Sequence, residues 1–538
     1  MRTSRQAVGI GLIALCLASL PLVAGFAAAP PGVRFQGLFA AVADQYQYLS
    51  FMIQGAEKAW LVEILSTPEE TQRMPIFLTY VLLGKVAALL GTQVVTVFHA
   101  SRVVFGAILL AAIWILITRT ADAGAVSRPV FAFAVVCFAS GVAWIARPLG
   151  ARTADLWQSE ITTFQVLVTN PHTLLAQVLL VVSLMLFQGG CEKRDMLRTL
   201  GAGGCVLLLS FVLPYDAPLA LAVMAAYGGL VGWRGEVPFR VLARALGVVL
   251  LAGGAGVLAQ YAIYRGSGVA PAFDSAPQLQ GRPDLLLLLG GVAFLLPAAT
   301  FSVVSLQRQG ALRGLPLLLA VWVATTLGLS LAPPPVQYQM RMLNGVGIPL
   351  GILGAEGLWR LAAVGALRLK RPSWGQPLFA GVILVAVSLT DVLVLLRPFV
   401  GHSWVMLHEA RRIFEAPLAF TADEIEALQW LRAQPREAGV VLAALPMGNA
   451  LPALALKKVV AGHILQTIDF ERKRQDLDAF FRSSATAAER KAILRRYRVG
   501  YVYYGPDERQ RTGHPVLAHP QLEQAFGNAA VAIYRVKR

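Results

Sequence analysis

Charged residues are scarce in this chain. Asp, Glu, Lys and Arg make up 14% of its 538 residues, whereas hydrophobic residues make up 56%. In a soluble globular protein about a quarter of all residues are charged, because polar groups must cover its surface. This composition excludes an ordinary water-soluble fold, and we expect the lipid bilayer to be the main solvent of the chain.

Cysteine is scarce as well, and its positions exclude two kinds of site. None of the four cysteines belongs to a CxxC pair, and all lie in or beside apolar runs: Cys16, Cys137, Cys191 and Cys205. Such positions predict neither a disulfide framework nor a zinc site. We expect no cofactor, and a divalent metal held by acids of the loops is left open.

Acidic residues are few relative to basic ones, with 30 Asp and Glu against 47 Lys and Arg, which gives a net charge of +17. In a soluble protein this excess would suggest nucleic acid. Here the basic residues form short clusters between apolar runs, where they set membrane orientation and meet anionic lipid. We therefore expect no nucleic-acid partner.

Long apolar runs make up most of the sequence. The first follows Arg2 and Arg5 and covers Ala7 to Ala29; we interpret it as a retained helix of roughly 20 residues, the length that a bilayer requires. A cleaved signal peptide is the alternative. With ten further runs, the sequence predicts a mainly α, polytopic fold with about eleven transmembrane helices. These runs lie near residues 94–118, 129–147, 172–189, 199–213, 216–233, 245–264, 284–306, 314–332, 344–364 and 376–396.

The segment from Pro75 to Leu90 is apolar but short, and Gly84 and Lys85 interrupt it. If this segment does not span, every short basic cluster falls on one side of the membrane, as is typical of cytoplasmic loops. We therefore predict an interfacial helix here, a cytoplasmic N-terminus, and outer loops at 30–94 and 147–171. The clusters are Arg119 and Arg128; Lys193, Arg194 and Arg198; Arg234, Arg240 and Arg244; Arg308 and Arg313; Arg368, Lys370 and Arg371.

After Arg397 the hydrophobicity falls and the pattern changes. Thr421, followed by Glu424 three residues later, is a capping box that begins a helix. We predict a transmembrane domain over residues 1–397 and a small extracytoplasmic α/β domain over 398–538. Its elements are strands near Val440–Leu445, Gly500–Tyr504 and Ala529–Val536, a turn at Pro446–Asn449 and a helical pair between Asp469 and Tyr497.

Two acids of the outer loops are the main candidates for chemistry. Asp44 lies early in the first outer loop, and Tyr48 follows it four residues later, on the same face if this stretch is helical. A helix N-cap is the simpler role for Asp44, because a carboxylate satisfies the unpaired amides of a helix start. Glu160 lies in the second outer loop, where a solvated loop acid is the simpler role.

Basic and histidine side chains near the same face could contact a substrate. Arg341, Lys85 and Arg102 are candidates for binding a phosphate, Arg through its bidentate geometry and Lys as a point charge. For Lys85 and Arg102, an extended side chain that reaches the interface is the alternative. His172 has no HxH or HxxxH partner, which favours a helix-capping role over a metal ligand. His463, four residues before Thr467, is a further substrate candidate, with packing inside a small domain as its alternative.

The sequence resembles the GT-C superfamily of membrane glycosyltransferases, which includes protein O-mannosyltransferases and lipid A aminoarabinose transferases. The resemblance rests on the early acid Asp44, on MPIFLTYVLLGKVAALLG followed by FHASRVVFG, and on a second loop with acidic residues. The C-terminal segments AGHILQTID and VGYVYYGPDER are similar to those of uncharacterised bacterial members.

The resemblance implies an enzyme of the bacterial inner (plasma) membrane that uses a polyprenyl-phosphate sugar. The acceptor would be a lipid, a glycan or a protein. In such enzymes a first-loop acid is the base, a second-loop acid assists, and outer cations bind the donor phosphate. By position these roles fall on Asp44, on Glu160, and on Arg341, with Lys85 or Arg102 as weaker candidates.

The sequence therefore predicts an inverting glycosyltransferase that acts at the outer face of the membrane. The alternative is a non-enzymatic membrane protein of the same architecture, such as a transporter of lipid-linked glycans or an assembly scaffold. A transporter is expected to place ionisable residues or broken helices at the membrane midplane. Apart from Arg102 and Asp391, the centres of the predicted helices are apolar, which favours the enzyme.

Overall fold

The computed structural model describes residues 2–268, 270, 283–333, 338–368, 372–396, 416–435 and 439–537. Two sequence predictions fall outside the described residues. One is the part of the last basic cluster formed by Lys370 and Arg371, and the other is the beginning of the predicted C-terminal domain, residues 398–415.

Long apolar helices form most of the described chain. Eight of them are long and apolar enough to cross a membrane, or ten if each of two bent helix pairs counts as one span. The mainly α fold class and a multi-pass membrane protein are thereby confirmed. The eight are Thr3–Ala27, Val94–Asp122, Pro129–Ala146, Pro171–Lys193, Asp216–Trp233, Phe239–Gly266, Gly314–Leu331 and Gly347–Leu367; the bent pairs are Leu285–Gly291 with Leu295–Arg308 and Trp374–Val387 with Leu389–Leu396.

Two shorter apolar helices account for the remaining apolar segments. The run predicted near 199–213 forms Met196–Val212, whose 17 residues stand at the lower limit of roughly 17 to 25 residues for a transmembrane helix. Without this helix the described residues contain up to ten spans, against about eleven predicted. Pro75 to Leu90 forms the 12-residue helix Leu78–Leu89, which at about 18 Å is too short to span. This length agrees with the predicted interfacial helix.

The chain divides into two compact units, which we call the first and the second unit. The first outer loop and the C-terminal segment fall in the same unit, a grouping that the sequence did not indicate. The predicted domain boundary at Arg397 stays a prediction. The first unit comprises Met1–Leu20, His99–Tyr261 and Pro277–Arg397, and the second comprises Pro21–Phe98, Ala262–Ala276 and Pro398–Arg538.

Within the first unit, short elements connect the long helices. The second outer loop folds as the short helices Ala154–Trp157 and Thr163–Val168, with a 3-10 turn at Ser159–Ile161 between them. A second 3-10 turn, Gln339–Leu343, precedes the helix Gly347–Arg368. The α-helix of the span Pro129–Ala146 is interrupted between its parts Pro129–Phe138 and Ala143–Ala146.

Within the second unit, two helices of the first outer loop cross closely. Val42–Ala56 and Leu78–Leu89 meet where Gly84 lies against the backbone of Met52; a Cβ atom on Gly84 would stand 1.9 Å from the Met52 carbonyl oxygen. Only glycine permits this approach, since any side chain would push the helices apart. The crossing fixes the helix that carries Asp44.

The C-terminal part of the second unit contains a four-stranded sheet in the order β3-β4-β6-β5, in which β3 and β4 are parallel and the other pairs antiparallel. A separate pair joins β1 to β2. The strands are β1 Val33–Phe35, β2 Ala419–Thr421, β3 Val440–Leu442, β4 Val499–Tyr504, β5 Leu522–Gly527 and β6 Ala532–Val536; the helices are Ala422–Ala433, Leu445–Leu454, Phe470–Phe480, Ala487–Arg496 and Pro506–Thr512.

Most predicted elements of this segment are confirmed, and one is wrong. Thr421 and Glu424 form the predicted capping box, with both reciprocal hydrogen bonds present. The predicted turn at Pro446–Asn449 is instead part of the helix Leu445–Leu454. Pro446 is tolerated there because the first turn of a helix needs no N–H from it. Gly448 packs against the carbonyl of Ala461, a tertiary contact that a local pattern does not show.

Candidate active site

Asp44 lies in the first turn of the helix Val42–Ala56, at its third residue. The N-cap position belongs to Ala41, which has a left-handed backbone (φ 48°) and makes no side-chain capping bond. The N-cap role considered for Asp44 is therefore wrong. Its side chain is 39% exposed, and its Oδ1 lies 2.6 Å from Nε2 of His463.

His463 presents a fixed nitrogen to this carboxylate. The His463 side chain is only 7% exposed, and its Nδ1 accepts a hydrogen bond from the amide of Leu465 at 3.3 Å. A nitrogen that accepts cannot carry the proton of a neutral ring, so the proton lies on Nε2 and is donated to Asp44. The pair joins residues that stand 419 positions apart.

A short polar network places His463 beside the first outer loop. The hydroxyl of Thr467 donates to the carbonyl of Ser66 at 2.7 Å and accepts from the amide of Gly462 at 3.0 Å. The hydroxyl of Ser66 donates to Gln47 on the helix of Asp44. Thr467 thus ties the His463 turn to the loop.

Tyr48 and Lys85 lie among aromatic side chains of the second unit. The ring of Tyr48 stacks on Tyr80 with centroids 4.3 Å apart, which covers one of its two faces. Nζ of Lys85 lies 4.1 Å from the ring centroid of Trp60, a cation–π contact. The substrate roles suggested for Tyr48 and Lys85 stay predictions.

In the first unit, Glu160 and Arg341 form an ion pair. Nη1 of Arg341 lies 2.9 Å from Oε1 of Glu160, and the two side chains are 30% and 11% exposed. The amide of Gln158 donates to the other oxygen, Oε2. Glu160 lies in the 3-10 turn Ser159–Ile161, and Arg341 lies in the 3-10 turn Gln339–Leu343. The sequence named both residues but not their contact across 181 positions.

Asp216 is a component of this cluster that sequence reasoning missed. It is buried, and one carboxylate oxygen accepts from Asn344, while the other has no hydrogen-bond partner among the described residues. Gln177 donates to Asn344 at 2.7 Å and to the Glu160 carbonyl at 3.2 Å. An acid at the first residue of a membrane span was the available signal.

Asp155 is a second buried acid of the first unit. It accepts hydrogen bonds from the hydroxyl of Thr153 and from the amide of Ala143. Burial raises the pKa of Asp155 above its ordinary value, and these hydrogen bonds oppose that rise. Gln165 donates both to the Asp155 carbonyl and to Asp391. Asp155 is one of the loop acids for which the sequence left a metal site open, and its contacts indicate a role in loop structure.

His172 is the second residue of the helix Pro171–Lys193 and is buried. Asn170 holds the N-cap position of that helix. The described residues contain no group of three or more His, Cys, Asp or Glu side chains that could hold a metal ion. A substrate role for His172 stays a prediction.

Arg102 is buried inside the first unit and contacts backbone. Its Nη1 donates to the carbonyls of Ala18 and Leu167 at 3.1 and 2.6 Å, and its Nη2 donates to Ser19 at 3.3 Å. These bonds join the first helix to the helix of Arg102 and to the second outer loop. They support a structural role, while the phosphate role stays a prediction.

We expect Arg102→Ala to lower the free energy of unfolding by about 3 kcal/mol, because charge-assisted hydrogen bonds are lost and buried carbonyls are left without donors. Arg119→Ala, an exposed change on the same helix, is the control. The measurement is the melting temperature of the purified proteins in detergent. An Arg102→Ala protein with the parent melting temperature would contradict the structural role.

Comparison with known proteins gives a result at the level of fold. No family model and no curated protein matches the sequence. Among solved structures, the chain is similar to the oligosaccharyltransferase of Archaeoglobus fulgidus in its apo form, with a TM-score of 0.58, 12% identity, and 93% of this chain and 69% of that chain covered.

Two further structures extend the comparison. The A. fulgidus oligosaccharyltransferase AglB in complex with an inhibitory peptide and a dolichol-phosphate gives a TM-score of 0.52 at 11% identity, over 91% of this chain and 69% of that one. ArnT from Cupriavidus metallidurans bound to undecaprenyl phosphate gives 0.44 at 12% identity, over 96% and 97%. Identities this low establish only a likeness of fold. The two oligosaccharyltransferase structures support that likeness, because their TM-scores are above 0.5. The chain therefore has the fold of the A. fulgidus oligosaccharyltransferase.

Proposed function

We propose that this protein is an inverting membrane glycosyltransferase that moves a sugar from a polyprenyl-phosphate donor to an acceptor hydroxyl. The observation that carries the proposal is the Asp44 carboxylate, partly exposed and held by His463 at 2.6 Å, in a chain with the fold of the A. fulgidus oligosaccharyltransferase. A structure of the same fold, AglB, holds a dolichol-phosphate and a peptide. That complex supports a lipid-phosphate donor and leaves the acceptor class open.

In the proposed reaction, the acceptor oxygen attacks the anomeric carbon of the donor sugar. Asp44 takes the proton of the acceptor hydroxyl as the new carbon–oxygen bond forms. The bond between the anomeric carbon and the phosphate oxygen breaks, and its electron pair leaves with the lipid phosphate. His463 donates its Nε2 proton in a hydrogen bond to Asp44, which orients the carboxylate but does not transfer that proton.

Arg341 is the proposed cation for the leaving phosphate. A guanidinium has five N–H donors; Nη1 of Arg341 donates to Glu160, and the side chain remains 30% exposed. The ring of Tyr215 lies 5.9 Å from its Cζ, a further contact that restricts the guanidinium. We propose that Glu160 orients Arg341, so that the phosphate meets a preorganised cation without needing protonation. The role of Glu160 as an assisting acid stays a prediction.

The proposed location is the inner (plasma) membrane of a bacterium, with the N-terminus in the cytoplasm and the C-terminal segment outside. Support comes from the basic clusters, which all fall on one side if Met196–Val212 spans as an eleventh helix and Leu78–Leu89 does not span. A reporter that works only outside the cytoplasm should be active when it is fused after Arg538. If only a reporter that works in the cytoplasm were active at that position, this orientation would be wrong.

The transporter alternative has one observation in its favour. The pair Trp374–Val387 and Leu389–Leu396 is bent by 47°, and Asp391 is buried beside the break, where Gln165 donates to it. Broken helices with buried acids are typical of transport sites. The two functions can be told apart by the bond between sugar and phosphate. A transferase breaks this bond, whereas a transporter leaves it intact.

The proposed function is tested with purified protein in detergent and a panel of labelled polyprenyl-phosphate sugars. A transferase releases the label from the lipid and attaches it to an acceptor. In vesicles, a transporter moves the intact labelled lipid between leaflets. A scaffold neither cleaves the lipid-linked sugar nor changes its distribution between leaflets. Intact donor throughout the panel of sugars and acceptors, with leaflet exchange in vesicles, would replace the enzyme with the transporter.

A further inference from the structure

A cavity of about 840 Å³ opens at one edge of the four-stranded sheet. It lies where β3 and β4 begin, next to the end of β6 and the start of β5. The end of the helix Ala487–Arg496 closes another side. All of these elements belong to the C-terminal part of the second unit. Small-molecule sites commonly have volumes of about 300 to 1,000 Å³, so this cavity has room for more than a single ion.

The cavity wall is strongly basic. Of the residues that the structure describes, four cations line it, Arg495, Arg498, Arg535 and Lys537, against one acid, Glu523, which leaves an excess of three positive charges. All four cations are exposed. Among the described residues, no ion pair joins any of them to an acid. Cations gathered around a concave surface raise the local concentration of anions.

Helix electrostatics explain only part of this cluster. Arg495 lies in the last turn of its helix, where the helix dipole favours a cation. Arg535 and Lys537 lie on and after β6, and Arg535 stands opposite Glu523 in the β5–β6 ladder, a favourable cross-strand pairing of charges. Arg498 has a left-handed backbone with φ 50°, a conformation that is unfavourable for a residue with a side chain. Helix and strand pairing thus account for Arg495 and Arg535, and they do not by themselves require cations at Arg498 and Lys537.

The remaining wall is closely packed and partly without side chains. Gly439 (φ 111°) packs directly on Gly500, so that a Cβ atom at Gly439 would lie 2.8 Å from the Gly500 Cα. Tyr501 in the wall packs edge to face on Trp430, with centroids 5.8 Å apart. This packing fixes the strand starts from which the cations extend, and several cations around one cavity favour ligands with more than one negative group.

We propose that this cavity binds a ligand that carries at least two phosphate or carboxylate groups. Arginine binds such groups through two parallel N–H donors, and three of the four cations are arginines. Either a soluble phosphorylated saccharide or an anionic lipid headgroup presents this chemistry. The site is separate from the Asp44 and His463 pair in sequence and composition, and the proposal does not depend on the proposed transferase activity.

The test measures binding of two probes to the purified full-length protein in neutral detergent. Inorganic pyrophosphate represents the soluble source, and cardiolipin, whose headgroup carries two phosphates, represents the lipid source in mixed micelles with the same detergent. The pocket variant is Arg498→Gln with Arg535→Gln. The control variant, Arg472→Gln with Arg482→Gln, removes the same two charges from exposed positions of the same segment. Melting temperatures establish that both variants are folded.

We expect the pocket variant to bind at least one probe about ten-fold more weakly or worse, because each charged hydrogen bond contributes substantially, and the control to bind within about two-fold of the parent. Loss of pyrophosphate binding identifies a soluble ligand, and loss confined to the cardiolipin micelles identifies a lipid headgroup. Equal losses in both variants would show a general charge effect and overturn the proposal, as would the absence of binding to either probe.

Discussion

Asp44→Asn should leave a folded protein whose turnover is roughly 10² to 10⁴ times slower, the usual contribution of general-base catalysis. Asparagine keeps the size of the side chain and an oxygen that can accept the proton of His463 Nε2, which lies 2.6 Å from the carboxylate in the parent. It cannot accept a proton from the acceptor. The expected loss is therefore in kcat, with little change in donor binding.

A matched control is available in the same unit. Asp423 lies in the first turn of the helix Ala422–Ala433, so Asp423→Asn makes the same substitution in the first turn of another helix and should leave turnover unchanged. His463→Gln, which can still donate to Asp44, should retain more activity than His463→Ala. Full turnover by a folded Asp44→Asn protein would show that Asp44 is not the base.

Arg341→Ala should raise the donor KM roughly ten- to hundred-fold, as expected when charge-assisted hydrogen bonds to a phosphate are lost. Arg341→Lys should recover only part of this loss, since lysine lacks the planar fork that binds two phosphate oxygens. Arg147→Ala, an exposed cation at the start of the second outer loop, is the control and should leave the donor KM unchanged.

The ion pair with Glu160 makes a second variant necessary. Removing Arg341 alone leaves the Glu160 carboxylate, 11% exposed, without its cation, which destabilises the protein. The double variant Glu160→Gln with Arg341→Ala removes both charges, so its melting temperature should recover while donor binding stays weak. If donor binding recovered with stability, Arg341 would serve only to neutralise Glu160, and its phosphate role would be wrong.

The long helices were predictable because the bilayer imposes a length and an apolar composition that local sequence shows directly. Capping chemistry is equally local, so the Thr421 and Glu424 box was predicted and is present. The helix at Leu445–Leu454 was missed. Its Pro, Gly and Asn residues are typical of turns, and only packing against Ala461 shows that they lie inside a helix.

The candidate site was predictable only as separate residues. Asp44 and Arg341 could be named because acids and cations are unusual beside apolar runs. Their partners, His463 and Glu160, lie hundreds of positions away or in another loop, and no local pattern encodes such pairs. Asp216 was missed because an acid at the start of a helix is ordinarily a favourable end charge. Its burial beside Asn344 is a tertiary feature.

Stereochemistry of the transfer tests the central claim most directly. Purified protein is incubated with a labelled polyprenyl-phosphate sugar of known anomeric configuration, and the configuration of the sugar on the acceptor is determined by NMR. Direct displacement predicts that the parent protein inverts the anomeric centre and releases one polyprenyl phosphate per sugar transferred. The Asp44→Asn protein should form the same product orders of magnitude more slowly. Retention of configuration, or equal rates for the two proteins, would contradict the account.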